Sequence, residues 1–391
     1  MTLTVDQFFV VLKHWLLSFV PADWQPLASV ILTVVPLMMV FPLLFAITTV
    51  LERKGLARMQ NRLGPNRVGP YGFLQPIADG IKSLTKEDIV PWTADQAVHF
   101  LAPFILVIPV FLAFSVLPYG RNMVPMDIDC GVLFFFAVGS ATEMSVFMAG
   151  WSSRNKYSLF GAMRAIAQMI SYEIPLMLST IPVLMTVGSL STVQIVEAQA
   201  DFTGWIPHWH VLTPWGLVGF ILFMIAATAE SNRSPFDIPE GESEIVAGYF
   251  LEYSGFKFAL FFLGEYLGMF AISALGITLF LGGWTAPLPI LTWVPSYGWF
   301  FAKLLTLICI FIWVRGTLPR LRMDQLMNFA WKFMLPMSLV NIAVAGAWHF
   351  MPPGWQRWII GLTMVAVPYV LLGRALAAGK HLAPRTYQFA E

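Results

Sequence analysis

A chain of 391 residues that is 58% apolar, 12% charged and rich in aromatics, with 33 Phe and 15 Trp, falls outside the composition of water-soluble domains and belongs in a bilayer. Its 23 basic and 22 acidic residues nearly cancel, which argues against the clustered cationic surface that nucleic acid requires. Cys130 and Cys309 stand far apart without a second thiol or a histidine at ligand spacing, so the chain has no set for zinc or an iron–sulfur cluster, and Cys309 reads as a small buried hydrophobe in an apolar run.

The first twenty residues carry Asp6, and Lys13 and His14 interrupt their apolar run, which is unlike a cleaved signal peptide. A spanning helix needs about 20 apolar residues. Nine stretches qualify: 27–51, 98–119, 132–151, 165–189, 213–229, 257–281, 297–314, 331–350 and 357–377. The expected fold is an all-α polytopic membrane protein, read as one membrane domain over residues 1–391. Prolines inside several spans, among them Pro36, Pro42, Pro109, Pro175 and Pro182, predict kinks supported by neighbouring helices. Of the 23 Lys and Arg, only Lys13, Arg121, Lys303 and Arg357 fall on one side, so the positive-inside rule puts the N-terminus outside and the C-terminus inside.

Two inner connections are long. The first, LERKGLARMQNRLGPNRVGPYGFLQPIADGIKSL from Leu51 to Leu84, starts with turn residues that set a tight loop carrying Arg62 and Arg67. Its second half spaces Leu74, Ile77, Ala78, Ile81 and Leu84 for an amphipathic helix lying in the membrane interface. The second, from Ala229 to Tyr266, gathers Glu230, Asp237, Glu240, Glu242, Glu244 and Glu252 against only Arg233 and Lys257. Mutual repulsion in so dense a run raises some carboxylates toward neutral pH, where they exchange protons. The apolar residues interleaved with it predict a folded loop covered by a partner.

Glu143, Glu173 and Glu265 fall within predicted spans, where a carboxylate is costly. Counted from Arg154, Arg164 and Lys257 at about 1.5 Å per residue, all three lie roughly 12 to 17 Å deep, on one level. A common level lets them face one cavity, with Glu52 and Glu230 at the inner ends of their spans connecting it to the acidic loop. A structural carboxylate bonded to Ser or Tyr would explain any one of them. Three at one depth fit a proton relay better.

Stretches such as ERKGLARMQNRLGPNRVGP and PFDIPEGESEIVAGY closely resemble the two signature regions of the H subunit of bacterial respiratory complex I, equivalent to mitochondrial NADH dehydrogenase subunit 1. The resemblance runs from about Pro26 through His349, so 26–350 is the family core and the ninth span and tail, 351–391, depart from it. It implies a non-redox subunit of a proton-translocating NADH–quinone oxidoreductase in the bacterial inner membrane, with quinone as substrate and FMN and Fe–S clusters in partner subunits. The implied partners are soluble quinone-site subunits on the inner side and small membrane subunits laterally. By the same resemblance Glu52, Arg62 and the interfacial helix with Leu74 and Ile77 border the quinone chamber, and Glu143, Glu173, Glu230, Glu240, Glu242, Glu244 and Glu252 make the start of the proton path; Arg67, Arg233 and Asp237 of the two inner connections are expected to join the chamber, and Glu265, by its depth, the path.

Two other readings compete. The anchor subunit of a related membrane-bound hydrogenase would lack NADH input, and the intact acidic loop favours the quinone enzyme instead. An autonomous secondary transporter predicts an internal repeat. None is visible.

Overall fold

The computed structural model describes residues 5–238, 248–352 and 354–378. Each of the nine predicted spans is helical among these residues. Among the described residues eight helical stretches are long and apolar enough to cross a membrane, and the fifth span, Pro214–Glu230, has 17 residues. In chain order the helices are α1 (Phe8–Ser18), α2 (Gln25–Met59), α3 (Gln75–Thr85), α4 (Gln96–Phe114), α5 (Gly131–Gly139), α6 (Ala141–Ser152), α7 (Lys156–Val187), α8 (Thr192–Glu197), α9 (Pro214–Glu230), α10 (Gly255–Phe280), α11 (Ser296–Thr317), α12 (Met323–Phe329), α13 (Leu335–Phe350) and α14 (Trp355–Ala378). Among the described residues the fold is all-α apart from a hairpin of two two-residue strands, Phe202–Thr203 and Ile206–Pro207. Short α1 has no predicted counterpart; Lys13 ties it to Thr33 of α2 at 2.8 Å.

The most apolar and uniform stretch, α10, is the centre of the bundle. From Leu267 to Phe280 nearly every residue is buried, as an all-round hydrophobic helix must be. Helices α2, α4, α9 and α11 pack around it. By contrast α2 lies at the rim and exposes most of its length. Residue chemistry sets the helix ends: Asn155 caps α7 by accepting the N–H of Tyr157 at 3.0 Å, Gly188 closes it in the left-handed region at φ 74°, and Thr213 caps α9 by accepting the N–H of Gly216 at 3.1 Å.

The chain runs helically through Pro36, Pro42, Pro103, Pro109, Pro175 and Pro182. The third span divides instead at Ser140, between α5 and α6, where no proline stands. There the Ser140 hydroxyl bonds back to the Phe136 carbonyl at 3.1 Å, competing with the helix's own ladder. A π-helical turn, Ala330–Met334, joins α12 to α13. Small residues permit close crossings: a Cβ on Gly161 would lie 2.7 Å from the Gly248 backbone, so segment 248–250 rests directly on α7. The expectation of a buried Cys309 is corrected, because the Leu304, Leu307, Ile308 and Phe311 face of α11 turns inward and leaves Cys309 exposed on the other.

Candidate functional site: a carboxylate cavity and a buried ion cluster

Helices α4, α5, α6, α7, α9 and α10 meet around a cavity of about 80 Å³, room for several waters. Glu173 from α7, Glu230 from the end of α9 and Glu265 from α10 line it, with Thr142, Ser231, Asn232 and Tyr249. Glu143 of α6 stands beside it as an electrostatic neighbour of both Glu173 and Glu230. Two acids have hydroxyl partners: Ser140 donates to Glu173 at 2.5 Å, and Tyr249 to Glu265 at 2.7 Å. Glu143 Oε1 and Glu230 Oε2 are buried and meet no hydrogen-bond partner among the described residues. A buried polar atom left in that state costs about 1–3 kcal/mol, a deficit that water in the cavity would remove.

The far side of the same elements carries a second cluster. Tyr266, next to Glu265, donates to buried Glu52 of α2 at 2.6 Å. Arg315 at the inner end of α11 pairs with the same carboxylate, and Arg233 lies 3.8 Å from it while stacking on the Tyr266 ring at 3.7 Å. Arg320 pairs with buried Asp237 at 2.8 Å. Burial pushes the Asp237 carboxyl up, and Arg320, Arg315 and Arg233 pull it back down. Gln168 of α7 holds this corner by donating to the carbonyls of Ala229 and Phe236, each at 2.8 Å. The two clusters therefore share hardware: residues 265 and 266 on α10, and 230 and 233 at the end of α9, face one cluster each.

The other expected site residues are placed differently. Arg62 is exposed and bonds Gln60 at 2.7 Å, and Arg67 is exposed, so neither joins Glu52. Leu74 and Ile77 are exposed, with Ile81 and Leu84, along α3, which presents an apolar stripe outward. Arg53 of α2 pairs with Asp79 of α3 at 2.6 Å, and Lys257 of α10 with Asp88 just beyond it at 2.7 Å, so α3 bridges α2 and α10. Glu252 accepts from Asn155 at 2.7 Å, away from the cavity lining. Glu240, Glu242 and Glu244 lie outside the described residues. Sequence reasoning missed Ser140, Gln168, Tyr249, Tyr266 and the pairing role of Arg315. The tyrosines flanking the acids were the only legible signal. Among the described residues no group of three or more His, Cys, Asp or Glu is placed to hold a metal ion.

A polytopic helical membrane protein with converging carboxylates at its centre is the class that fold and site define. The profile of the NADH dehydrogenase family matches residues 32–346, and the chain belongs to that family. It is 52% identical over 294 residues to the H subunit of an NADH-quinone oxidoreductase of Dehalococcoides mccartyi, covering 75% of this chain and 79% of the relative. The H subunit of a second strain of that species is 49% identical over 322 residues, covering 82% and 87%. Its counterpart in Geobacillus kaustophilus is 48% identical over 303 residues, covering 76% and 88%. The resemblance read from the two inner connections is thus borne out, and the matched region ends before α14.

Proposed function

We propose that this chain forms the quinone chamber of a proton-translocating NADH–quinone oxidoreductase in a bacterial inner membrane and starts the path that links quinone reduction to proton pumping. Soluble quinone-site subunits would sit on its inner side and small membrane subunits beside it, with FMN and Fe–S clusters held by partners. The observation that carries the reading is the cavity where Glu173, Glu230 and Glu265 converge with Glu143 beside them.

The chain's part is electrostatic. Quinone reduction at the inner end changes charge or hydrogen bonding beside Glu52, Arg233 and Asp237. Tyr266 and Arg233 sit one and three residues from Glu265 and Glu230, so a shift in the ion cluster moves the groups that face the cavity. Carboxylates so close titrate as a set, and a displaced proton passes between them through water. The acidic run at Glu240, Glu242 and Glu244 would feed the same set.

The test is proton pumping per electron in vesicles holding the assembled complex. Gln at both Glu143 and Glu173 keeps the shape of a protonated acid and should preserve assembly while lowering turnover by about tenfold or more. Asp at the same positions, still titratable, should retain part of the activity. Normal pumping by the double Gln variant would make these acids structural and move the relay elsewhere.

A further inference from the structure

His99 lies at the start of α4, fully buried, and belongs to neither cluster. Its ring stacks face to face on Tyr253, with centroids 3.9 Å apart and planes 5° from parallel. The Tyr253 hydroxyl is 3.2 Å from the Ser152 hydroxyl, in a site closed by α6. Neither ring nitrogen has a well-formed hydrogen bond among the described residues, although the Glu252 backbone faces the ring.

Among the described residues the charged groups that face it are Lys257 of α10, Asp88 of the connection between α3 and α4, and Glu252 of the segment before α10. Asp88 is taken up by Lys257 at 2.7 Å, and Glu252 by Asn155 at 2.7 Å. The start of its own helix adds Asp95, whose carbonyl accepts the His99 backbone N–H at 2.8 Å. From α6 the Ser152 hydroxyl meets the Tyr253 hydroxyl.

Tyr253 is four residues from Tyr249, whose hydroxyl reaches Glu265 in the cavity. The two are joined tightly. Tyr253 N–H donates to Phe250 at 3.0 Å, Ser158 donates to the Tyr249 carbonyl at 2.9 Å, and Phe261 packs edge-on against both tyrosine rings at 5.6 and 4.8 Å. What holds Tyr253 therefore holds Tyr249.

We propose that His99 is a pH-sensitive latch that, uncharged, stacks on Tyr253 to hold the segment presenting Tyr249 to Glu265, and that, protonated, leaves its slot and frees the segment. An imidazolium has two N–H donors and a full charge. Among the described residues no well-formed acceptor meets either ring nitrogen, and the Lys257 ammonium repels the charged ring, which therefore moves toward water. His99 is a positioning residue here, and its effect on turnover rests on the proposed role of the cavity.

The experiment is hydrogen–deuterium exchange of the purified complex, read in peptides covering 248–253 from about pH 8 to about pH 5 after correction for intrinsic exchange. Wild type should exchange severalfold faster at the acid end. His99→Phe, which keeps a ring and cannot take a proton, should stay slow throughout, and His99→Ala should be fast throughout. If His99→Phe follows the wild-type pH dependence, the latch is wrong. Pumping per electron, measured on the same three proteins, should hold further into acid for His99→Phe than for wild type. Exchange as expected with pumping unaltered would uphold the latch and overturn the coupling role of the cavity.

Discussion

Glu52 and Glu230 look alike in sequence, each an acid at the inner end of an apolar run, yet their surroundings give them different work. Glu52 receives Tyr266 and two arginines, and Glu230 faces a cavity with other carboxylates. Removing one partner from a buried ion cluster leaves the other uncompensated, at about 3–5 kcal/mol, whereas a cavity acid can exchange a proton without losing an ion pair. A half-buried imidazole, His210, gives a direct pH prediction. Burial holds His210, 5.5 Å from the Trp215 ring, down from 6.5 to about 4. Between those values the unfolded chain takes up a proton that the folded chain refuses, so falling pH favours unfolding across that window. Melting of the purified complex, followed by tryptophan fluorescence, should fall less steeply with acid in His210→Phe than in wild type. Equal slopes would show that other groups set the acid limit.

At the level of elements, α3 and α14 make opposite predictions. Helix α3 is tied to α2 and α10 by ion pairs while Ile77, Ile81 and Leu84 stay exposed, an arrangement that suits the lipid boundary where we propose an apolar quinone enters. Ile77→Gln should raise the apparent KM for quinone several-fold and leave NADH oxidation by an artificial acceptor intact. Loss of both activities together would indicate failed assembly. Helix α14 lies beyond the matched region, has no Asp, Glu, His, Lys or Arg between Arg357 and Arg374, and packs on α13 with Arg357 and Trp358 against Trp348, at 4.1 and 5.3 Å. Ending the chain after Met351 should leave coupled activity largely intact and lower the melting temperature of the complex by a few degrees. Uncoupled or absent activity in that truncation would give α14 a part in the chemistry.

For the whole molecule, the proposed proton path joins the acidic connection to the cavity, and charges on one path respond together. Gln at Glu240, Glu242 and Glu244 together should reduce quinone reduction and pumping far more than any single change, and full activity in the triple variant would remove the connection from the path. Much of the architecture was legible in the chain itself. Each of the nine apolar runs is helical, α3 begins within one residue of its predicted start, and the two inner connections carried the family likeness, since hydrophobic length and local spacing are properties of contiguous residues. Depth counted along each span put Glu143, Glu173 and Glu265 on one level, and two of them, Glu173 and Glu265, line one cavity. What the sequence could not decide was rotation and partnership. That Glu173, Glu230 and Glu265 turn toward one cavity while Tyr266 turns to Glu52, that Arg315 meets an acid 263 residues away, that Cys309 faces outward and that α5 breaks from α6 without a proline were all decided by the packing of helices. Which face of a uniformly apolar helix is buried depends on the shapes of its neighbours, because a bilayer exerts no hydrophobic pull that distinguishes one face from another.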